Sequence, residues 1–317
     1  MTASPPPALS VVVPVFNEAG NVGPLFEEIR AVMRAIGRPF EIIFVNDGSS
    51  DATLEQLLRL RAAAPRLRVI DLDGNFGEAA ALCAGFRAAR GDLVVTLDGD
   101  GQNDPHDIPG LLETLERDGY RVVSGWRRQR QEGLVRVLPS RVANRLIAAV
   151  TRIPMHDNGC GLKVYRRAVV ARAALPRGMN RFMPAIFGVS AREVAEVPVN
   201  DRRRVHGSSH YGLGRTVVVL RDLLAVRFII AHPRASEPAW GAAGLLSASA
   251  LAYALWQGHA SAAALCGAAT SAAGMIWWNL RRFNRAQRTG VYRVRTEYGP
   301  LPEREAAQGS GLLRLVS

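Results

Sequence analysis

Short runs of β-branched and other apolar residues alternate with stretches of helical periodicity over the first two thirds of the chain. Residues 9–15, 41–46, 67–72, 93–97 and 121–124 read as strands. Between them, residues 22–36, 53–63, 78–89 and 108–117 carry apolar side chains three and four apart, the spacing of a helix with one buried face. Repeated strand–helix units of this kind predict an α/β domain with a mainly parallel central sheet. Ligands bind such sheets beyond the carboxyl ends of the strands, so the polar residues that follow each strand are the candidates for chemistry.

The texture changes after Glu237. Residues 238–280 contain no Asp, Glu, Lys or Arg and are dense in Ala, Gly, Leu and Trp. Two apolar helices, 240–256 and 261–280, with a turn at 257–260, approach the length needed to cross a bilayer. Trp240, Trp256, Trp277 and Trp278 fall near their ends, where amphipathic rings favour the membrane–water boundary. A helical pair buried in a soluble core is the competing reading. Arg227 and Arg234 precede the hairpin, and Arg281, Arg282, Arg285 and Arg288 follow it. The positive-inside rule then puts both flanks on the cytoplasmic side of an inner or plasma membrane. Residues 212–230 are apolar but interrupted by Arg221, Asp222 and Arg227, and either lie along the bilayer surface or pack on the domain. The chain thus divides into an α/β domain at 1–230, a membrane-associated hairpin at 231–282 and a polar cytoplasmic tail at 283–317, with a flexible stretch at 308–311.

With 317 residues, 48% hydrophobic and 21% charged, the chain is globular in composition, which excludes wholesale disorder. A net charge of +12 calls for an anionic partner such as phosphate, lipid headgroup or nucleic acid. Nucleic acid is set aside, because the sequence offers no platform of interleaved aromatic and basic residues. Lys163 is the only lysine, and the excess of arginine reads as a coding bias. Cys83, Cys160 and Cys266 are odd in number and lack a Cys-x-x-Cys spacing, which fits a reducing compartment without a disulfide framework or zinc knuckle. The first seven residues lack the basic and apolar regions of a signal peptide, so no cleavage is expected.

Asp98-Gly99-Asp100-Gly101-Gln102 follows an apolar strand and sets two carboxylates and an amide at its end, with glycines that admit a close ligand. Hard oxygen ligands suit Mg²⁺ or Mn²⁺ holding the phosphates of a diphosphate leaving group. Two more strands run to the same rim, one into Phe16-Asn17-Glu18 and the other into Asn46-Asp47-Gly48-Ser49-Ser50-Asp51. Asp47 suits the donor edge of a base, and Glu18 a ribose or base. Asn21, Ser50 and Asp51 read as helix caps.

Taken in order, Val12-Val13-Pro14-Val15-Phe16-Asn17-Glu18, Asn46-Asp47-Gly48-Ser49, Asn75-Phe76-Gly77 and Asp98-Gly99-Asp100-Gly101-Gln102 resemble a family 2 glycosyltransferase of the GT-A fold, a Rossmann-like architecture. The subgroup they resemble is the polyprenyl-phosphate glycosyltransferases; the resemblance runs from residue 9 to residue 230, and the hairpin resembles that of bacterial members. It implies that Pro14, Phe16, Glu18 and Asp47 line the nucleotide pocket, that Asp98 touches ribose or sugar, and that Asp98, Asp100 and Gln102 form the metal site. Phe16 stands where members often carry tyrosine, leaving stacking without a hydroxyl. Asp157-Asn158-Gly159-Cys160-Gly161-Leu162-Lys163 resembles the family's Asp-x-x-Ser-Gly segment near the acceptor, with Cys160 replacing the small hydroxyl residue. Asp157 is then the family's candidate base. A lipid phosphate is largely ionised at neutral pH, so the work expected of Asp157 is to position acceptor or sugar. Cys160 is not expected to act as a nucleophile, since only His156 lies nearby in sequence to activate it.

Arg127, Arg136 and Ser140 fall where the subgroup holds its lipid phosphate, a task that guanidinium forks suit. Arg204-Val205-His206-Gly207-Ser208-Ser209-His210-Tyr211-Gly212 resembles the Arg-x-x-Gly-x-Ser-Lys-Tyr loop, whose arginine grips the nucleotide diphosphate; His210 takes the place of lysine. The resemblance implies metal-dependent, inverting transfer of a sugar from a nucleotide diphosphate to a polyprenyl phosphate of the undecaprenyl or dolichyl type, at the cytosolic membrane face. Asp98, Asp100 and Asp157 would be its catalytic residues and Mg²⁺ or Mn²⁺ its cofactor. The rivals are a membrane-tethered scaffold that binds nucleotide sugar without turnover, and a processive polysaccharide synthase, which would need a Gln-x-x-Arg-Trp motif and more than one hairpin. The sugar, the choice of uridine or guanosine donor, and homo-oligomerisation stay open.

Overall fold

The structure is a computed structural model that describes residues 6–62, 64, 67–128, 134–203 and 214–299, without the side chains of 134–142 and 214–220. In chain order its elements are β1 (Leu9–Val15), α1 (Val22–Ile36), β2 (Phe40–Asn46), α2 (Thr53–Ala62), β3 (Leu67–Leu72), α3 (Glu78–Ala88), β4 (Leu93–Thr96), α4 (Ile108–Arg117) and β5 (Val122–Arg127). There follow α5 (Leu134–Thr151), β6 (Lys163–Arg166), the single-turn helices α6 (Arg167–Val170) and α7 (Met183–Ile186), β7 (Val194–Val199), α8 (Gly214–Ala231), α9 (Pro233–Trp256), α10 (Ala260–Thr289) and β8 (Val294–Tyr298). The five strands and four helices expected in the first 124 residues are all present, with ends that differ by a few residues at most.

One sheet runs in the order β7-β5-β6-β4-β1-β2-β3-β8. β1 is parallel to β2 and β4, β2 to β3, and β5 to β7, whereas β6 is antiparallel to β4 and β5, and β8 to β3. Six strands therefore point one way, and their carboxyl ends share one rim. Every residue of β1, β2 and β3 is buried, because helices cover both faces. Val12, Ile43 and Ile70 pack with Phe86, Tyr165, Val226 and Leu280 on one face. Val11, Val13, Ile42 and Phe44 pack with Ile29, Met33, Leu57 and Leu111 on the other. Each such buried side chain contributes about 1.5–3 kcal/mol relative to exposure, so the central strands hold the rim rigidly.

The hairpin helices are longer than the apolar pattern alone suggests. α9 starts at Pro233 and α10 runs on to Thr289, so Arg281, Arg282, Arg285 and Arg288 ride on the last turns of α10 instead of following it. Both helices are long and apolar enough to cross a membrane. Leu245, Leu246, Tyr253, Leu255, Trp256 and Leu265 are each at least 61% exposed, the reverse of what a buried soluble pair requires. At the base, Trp240 meets Phe228 edge-on at 5.0 Å, and the guanidinium groups of Arg221 and Arg282 lie over the Trp278 ring at 5.0 Å and 4.8 Å. α8 buries Leu223, Ala225, Val226 and Ile229 against the domain while Leu224 and Ile230 stay exposed. It therefore packs on the domain along one face and leaves a second apolar face open.

The tail expected at 283–317 needs correction at its start. Residues 283–289 complete α10, and 294–298 form β8 on the edge of the sheet. A strand of Val-Arg-Thr-Glu-Tyr carries too few apolar positions to register as periodic, and tertiary pairing overrides its composition. Arg68, fully inside the fold, forms ion pairs with Glu41 at 2.8 Å and with Glu297, which ties β8 to the sheet.

Candidate active site

The parallel ends of β1, β2 and β4 bring three loops together. Phe16, 40% exposed, follows β1 directly. Asn17 beside it has φ 57° and accepts through Oδ1 from Ser50 N at 2.8 Å, while its own N donates to Ser49 Oγ at 2.9 Å. Glu18 N donates to Thr53 Oγ1 at 2.8 Å, and the Glu18 carboxylate accepts from the Asn21 amide at 2.5 Å. Asn21 thus serves Glu18 and makes no side-chain cap to α1, contrary to the capping role expected of it. Asp51 does serve the start of α2, accepting from Thr53 N at 3.0 Å.

Asp47 is buried, and its two oxygens accept from the N–H groups of Phe76 at 2.7 Å and Gly77 at 2.8 Å. Burial pushes its carboxyl above the ordinary value, opposed by those two N–H groups and by the charge of Arg177. Asp47 therefore buckles the loop after β2 to the Asn75-Phe76-Gly77 segment ahead of α3. Gly48 makes the same contact possible from the other side: at φ 67° its missing β-carbon would lie 2.4 Å from the Gly74 carbonyl carbon.

Asp98 ends the β4 segment, its N held by Asn103 Oδ1 at 3.0 Å, and its carboxyl lies against the backbone of Gly161, where a β-carbon would fall 2.3 Å away. Asp100 Oδ1 accepts from Gln102 N at 3.1 Å, and the Gln102 side-chain amide donates to the Arg202 carbonyl at 3.4 Å. Burial, then the charges of Glu78 and Asp100, push the Asp98 carboxyl well above its ordinary value against the opposing pull of Arg127 and Lys163. Such crowding of carboxylates is relieved by a divalent cation, and the hard-oxygen donor set of Asp98, Asp100 and Gln102 fits one. A different acidic group, Glu28 with Asp104 and His106, also converges. Its positive charge is supplied by Arg202, which pairs with Glu28 at 2.6 Å and Asp104 at 2.7 Å.

On the β5–β6 side, Arg127 grips Asp157 with two prongs, Nε to Oδ2 at 2.8 Å and Nη2 to Oδ1 at 3.2 Å. Asp157 is buried and Arg127 nearly so. The backbone N–H groups of His156 and Asp157 donate to Glu196, which also takes the His156 ring at 2.8 Å. His156 stacks on Trp126 at 4.3 Å, so its ring is committed to Glu196 and Trp126. Cys160 is buried, and burial pushes its thiol up to about 11, in keeping with a residue that does not act as a nucleophile.

Two contributors escape a reading of the sequence. Lys163 is buried, and its ammonium donates to the carbonyls of Cys160 and, at 3.4 Å, Asn158, so it props up the loop on which Asp98 rests. A signal existed: it is the one lysine the chain keeps among forty basic residues. Glu78, held by the Asn180 amide at 2.6 Å, adds negative charge beside Asp98 and has no motif to mark it. Arg136 and Ser140 lie on α5, their side chains outside the described residues, and Arg204 lies wholly outside them. Arg202, close to Arg204 in sequence, is already engaged by Glu28 and Asp104.

A crystal structure of glucosyl-3-phosphoglycerate synthase from Mycobacterium tuberculosis in complex with Mn²⁺ and uridine-diphosphate-glucose superposes with a TM-score of 0.56 at 22% identity, over 70% of this chain and 79% of that one. This likeness and the sheet order define an α/β glycosyltransferase fold of the GT-A type. Dodecaprenyl-phosphate galacturonate synthase of Rhizobium johnstonii is 42% identical over 255 residues, 79% of this chain and 75% of that protein. Undecaprenyl-phosphate 4-deoxy-4-formamido-L-arabinose transferase of Pseudomonas paraeruginosa is 40% identical over 220 residues, 68% of this chain and 64% of that protein, so the match spans less than two thirds of its length. The sequence model of glycosyl transferase family 2 matches residues 10–173, and the chain belongs to that family.

Proposed function

We propose that the protein is a metal-dependent inverting glycosyltransferase that moves a sugar from a nucleoside diphosphate to a polyprenyl phosphate at the cytosolic face of a membrane. The observation that carries this reading is the meeting of Asp98 with the loop of the Arg127–Asp157 pair at one rim, on a domain whose next helices form an exposed apolar hairpin. The names of the two relatives, each built on a polyprenyl phosphate, support the same acceptor class.

Phe16 offers a face for the base, with Pro14, Glu18 and Asp47 around it. Asp98, Asp100 and Gln102 would hold Mg²⁺ or Mn²⁺, which when bound offsets charge developing on the departing diphosphate; Arg204 is assigned to the same diphosphate. Arg127, Arg136 and Ser140 are assigned to the lipid phosphate. One of its oxygens attacks the anomeric carbon, the bond from that carbon to the diphosphate breaks, and the nucleoside diphosphate leaves from the opposite face, inverting the centre. The lipid phosphate has a second pKa of about 6, so it arrives ionised. Asp157, already paired with Arg127, serves to orient that arginine.

Both ends of the hairpin return to the domain, α9 after α8 and β8 after α10. A crossing hairpin then traverses the membrane twice, and the flanking arginines favour the cytosolic side for the domain. The experiment is a calorimetric titration of the full chain in lipid nanodiscs with uridine and guanosine diphosphates, with and without Mn²⁺. One nucleotide should bind with Mn²⁺, and Asp100→Ala should lose that dependence. Binding indifferent to Mn²⁺, or none at all, contradicts the reading.

A further inference from the structure

The strand that follows the hairpin reaches the nucleotide rim. β8 pairs Thr296 with Asp71 and Val294 with Leu72, and the register slips between them, so Arg295 is the additional residue of a bulge. A bulge re-aims its side chain. Here the Arg295 guanidinium donates to Asp71 Oδ2 at 3.2 Å and to Asp73 at 3.4 Å. The other oxygen of Asp71 accepts from Asn46 Nδ2 at 2.7 Å. Asn46 stands opposite Asp71 on β3 and Val15 on β1, and its Oδ1 accepts from Ser49 N at 3.3 Å. Ser49 Oγ in turn accepts from Asn17 N at 2.9 Å. A ladder Arg295–Asp71–Asn46–Ser49–Asn17 thus links three strands, β8, β3 and β2, and ends in the two loops that carry Asp47 and Phe16.

We propose that Arg295 is a positioning residue of the donor site, acting through Asp71 and Asn46, an inference that rests on the reading of Phe16 and Asp47 as the nucleotide pocket. Asp71 is only 2% exposed, and a carboxylate so buried needs partners on both oxygens. With Arg295 on one oxygen, the other takes the Asn46 amide nitrogen. That choice turns the amide oxygen toward Ser49 N and fixes the loop. The chain beyond the hairpin therefore contributes to a pocket built by the first fifty residues.

Arg295 is itself 56% exposed, so its replacement leaves the fold standing. The test compares full-length wild type, Arg295→Gln, Arg295→Lys and Arg293→Gln in lipid nanodiscs; Arg293 is 80% exposed and sits at the ladder's flank. Two readouts are taken: hydrogen exchange of the peptide covering 44–52, and steady-state kinetics with the nucleotide sugar the wild type accepts. Arg295→Gln should speed exchange at 46–51 and raise the donor KM about threefold to tenfold with kcat and acceptor KM within twofold, the range of effects along coupled networks. Arg295→Lys should recover part of the change and Arg293→Gln show none. Unchanged exchange and donor KM in Arg295→Gln, or equal effects from Arg293→Gln, overturn the proposal. If the wild type transfers no sugar, the functional reading fails, while the exchange readout still decides whether Arg295 holds the loop.

Discussion

Arg127 and Asp157 form a two-pronged ion pair where little water reaches either partner. Removing one partner of such a pair strands a buried charge, so Arg127→Ala should cost about 3–5 kcal/mol of stability. Arg127→Lys should recover little of it, since an ammonium cannot grip both carboxylate oxygens. Denaturant titration of the full chain in detergent measures this, and an unmoved midpoint for Arg127→Ala contradicts it. Asp100→Ala should reduce sugar transfer by at least about a hundredfold while the protein stays folded, as loss of a group stabilising transition-state charge does; retained activity removes the proposed metal site. The thiols give a third check. Burial raises Cys83 to about 12 and Cys160 to about 11, so at pH 8 both remain protonated and shielded. Maleimide at pH 8 should leave them unlabelled, as peptide mass mapping would read directly; labelling of Cys160 contradicts the packing around Asp98. At this scale the residues that sit in motifs are legible in the sequence: Phe16, Glu18, Asp47 and Asp98 come just after β1, β2 and β4, and Asp157 lies in the loop ahead of β6. Lys163 is not legible as part of the site, because its task, holding carbonyls, leaves no pattern beyond its rarity. The bonds of Asp47 to the backbone N–H groups of Phe76 and Gly77 are a long-range contact that local sequence does not encode.

The strands β1 to β5 and the helices between them were legible because each is buried on one or both faces, and burial writes itself as periodicity. β6, with four residues, is too short to show an alternation, and β8 owes its place to Arg68, Glu297 and the ladder with β3. The loop after β2 offers a prediction of its own. Gly48→Ala would set a β-carbon 2.4 Å from the Gly74 carbonyl carbon at φ 67°, so the loops must part. The substitution should destabilise by more than about 1 kcal/mol and weaken nucleotide binding, both measurable on the full chain by denaturation and calorimetry. Wild-type binding in that variant contradicts the close approach of the two loops.

Over the whole molecule, an α/β domain carries a hairpin whose outer residues are exposed and apolar, and after it a strand that returns to the sheet. The proposed topology places the turn at Gln257–Ala260 on the far side of the membrane from both helix bases. In a Cys266→Ser background, His259→Cys should react with a membrane-impermeant maleimide added to intact cells, and Arg288→Cys only after the membrane is opened; the opposite pattern inverts the orientation. The central claim concerns the reaction. Full-length protein in bilayers is supplied with Mn²⁺, polyprenyl phosphate and nucleotide sugars, beginning with uronic-acid and formamido-pentose donors, and the extracted lipid is weighed by mass spectrometry. The account predicts a lipid heavier by one glycosyl residue that keeps a single phosphate, absent with Asp100→Ala. An unchanged lipid mass with every donor, or a product carrying two phosphates, contradicts it.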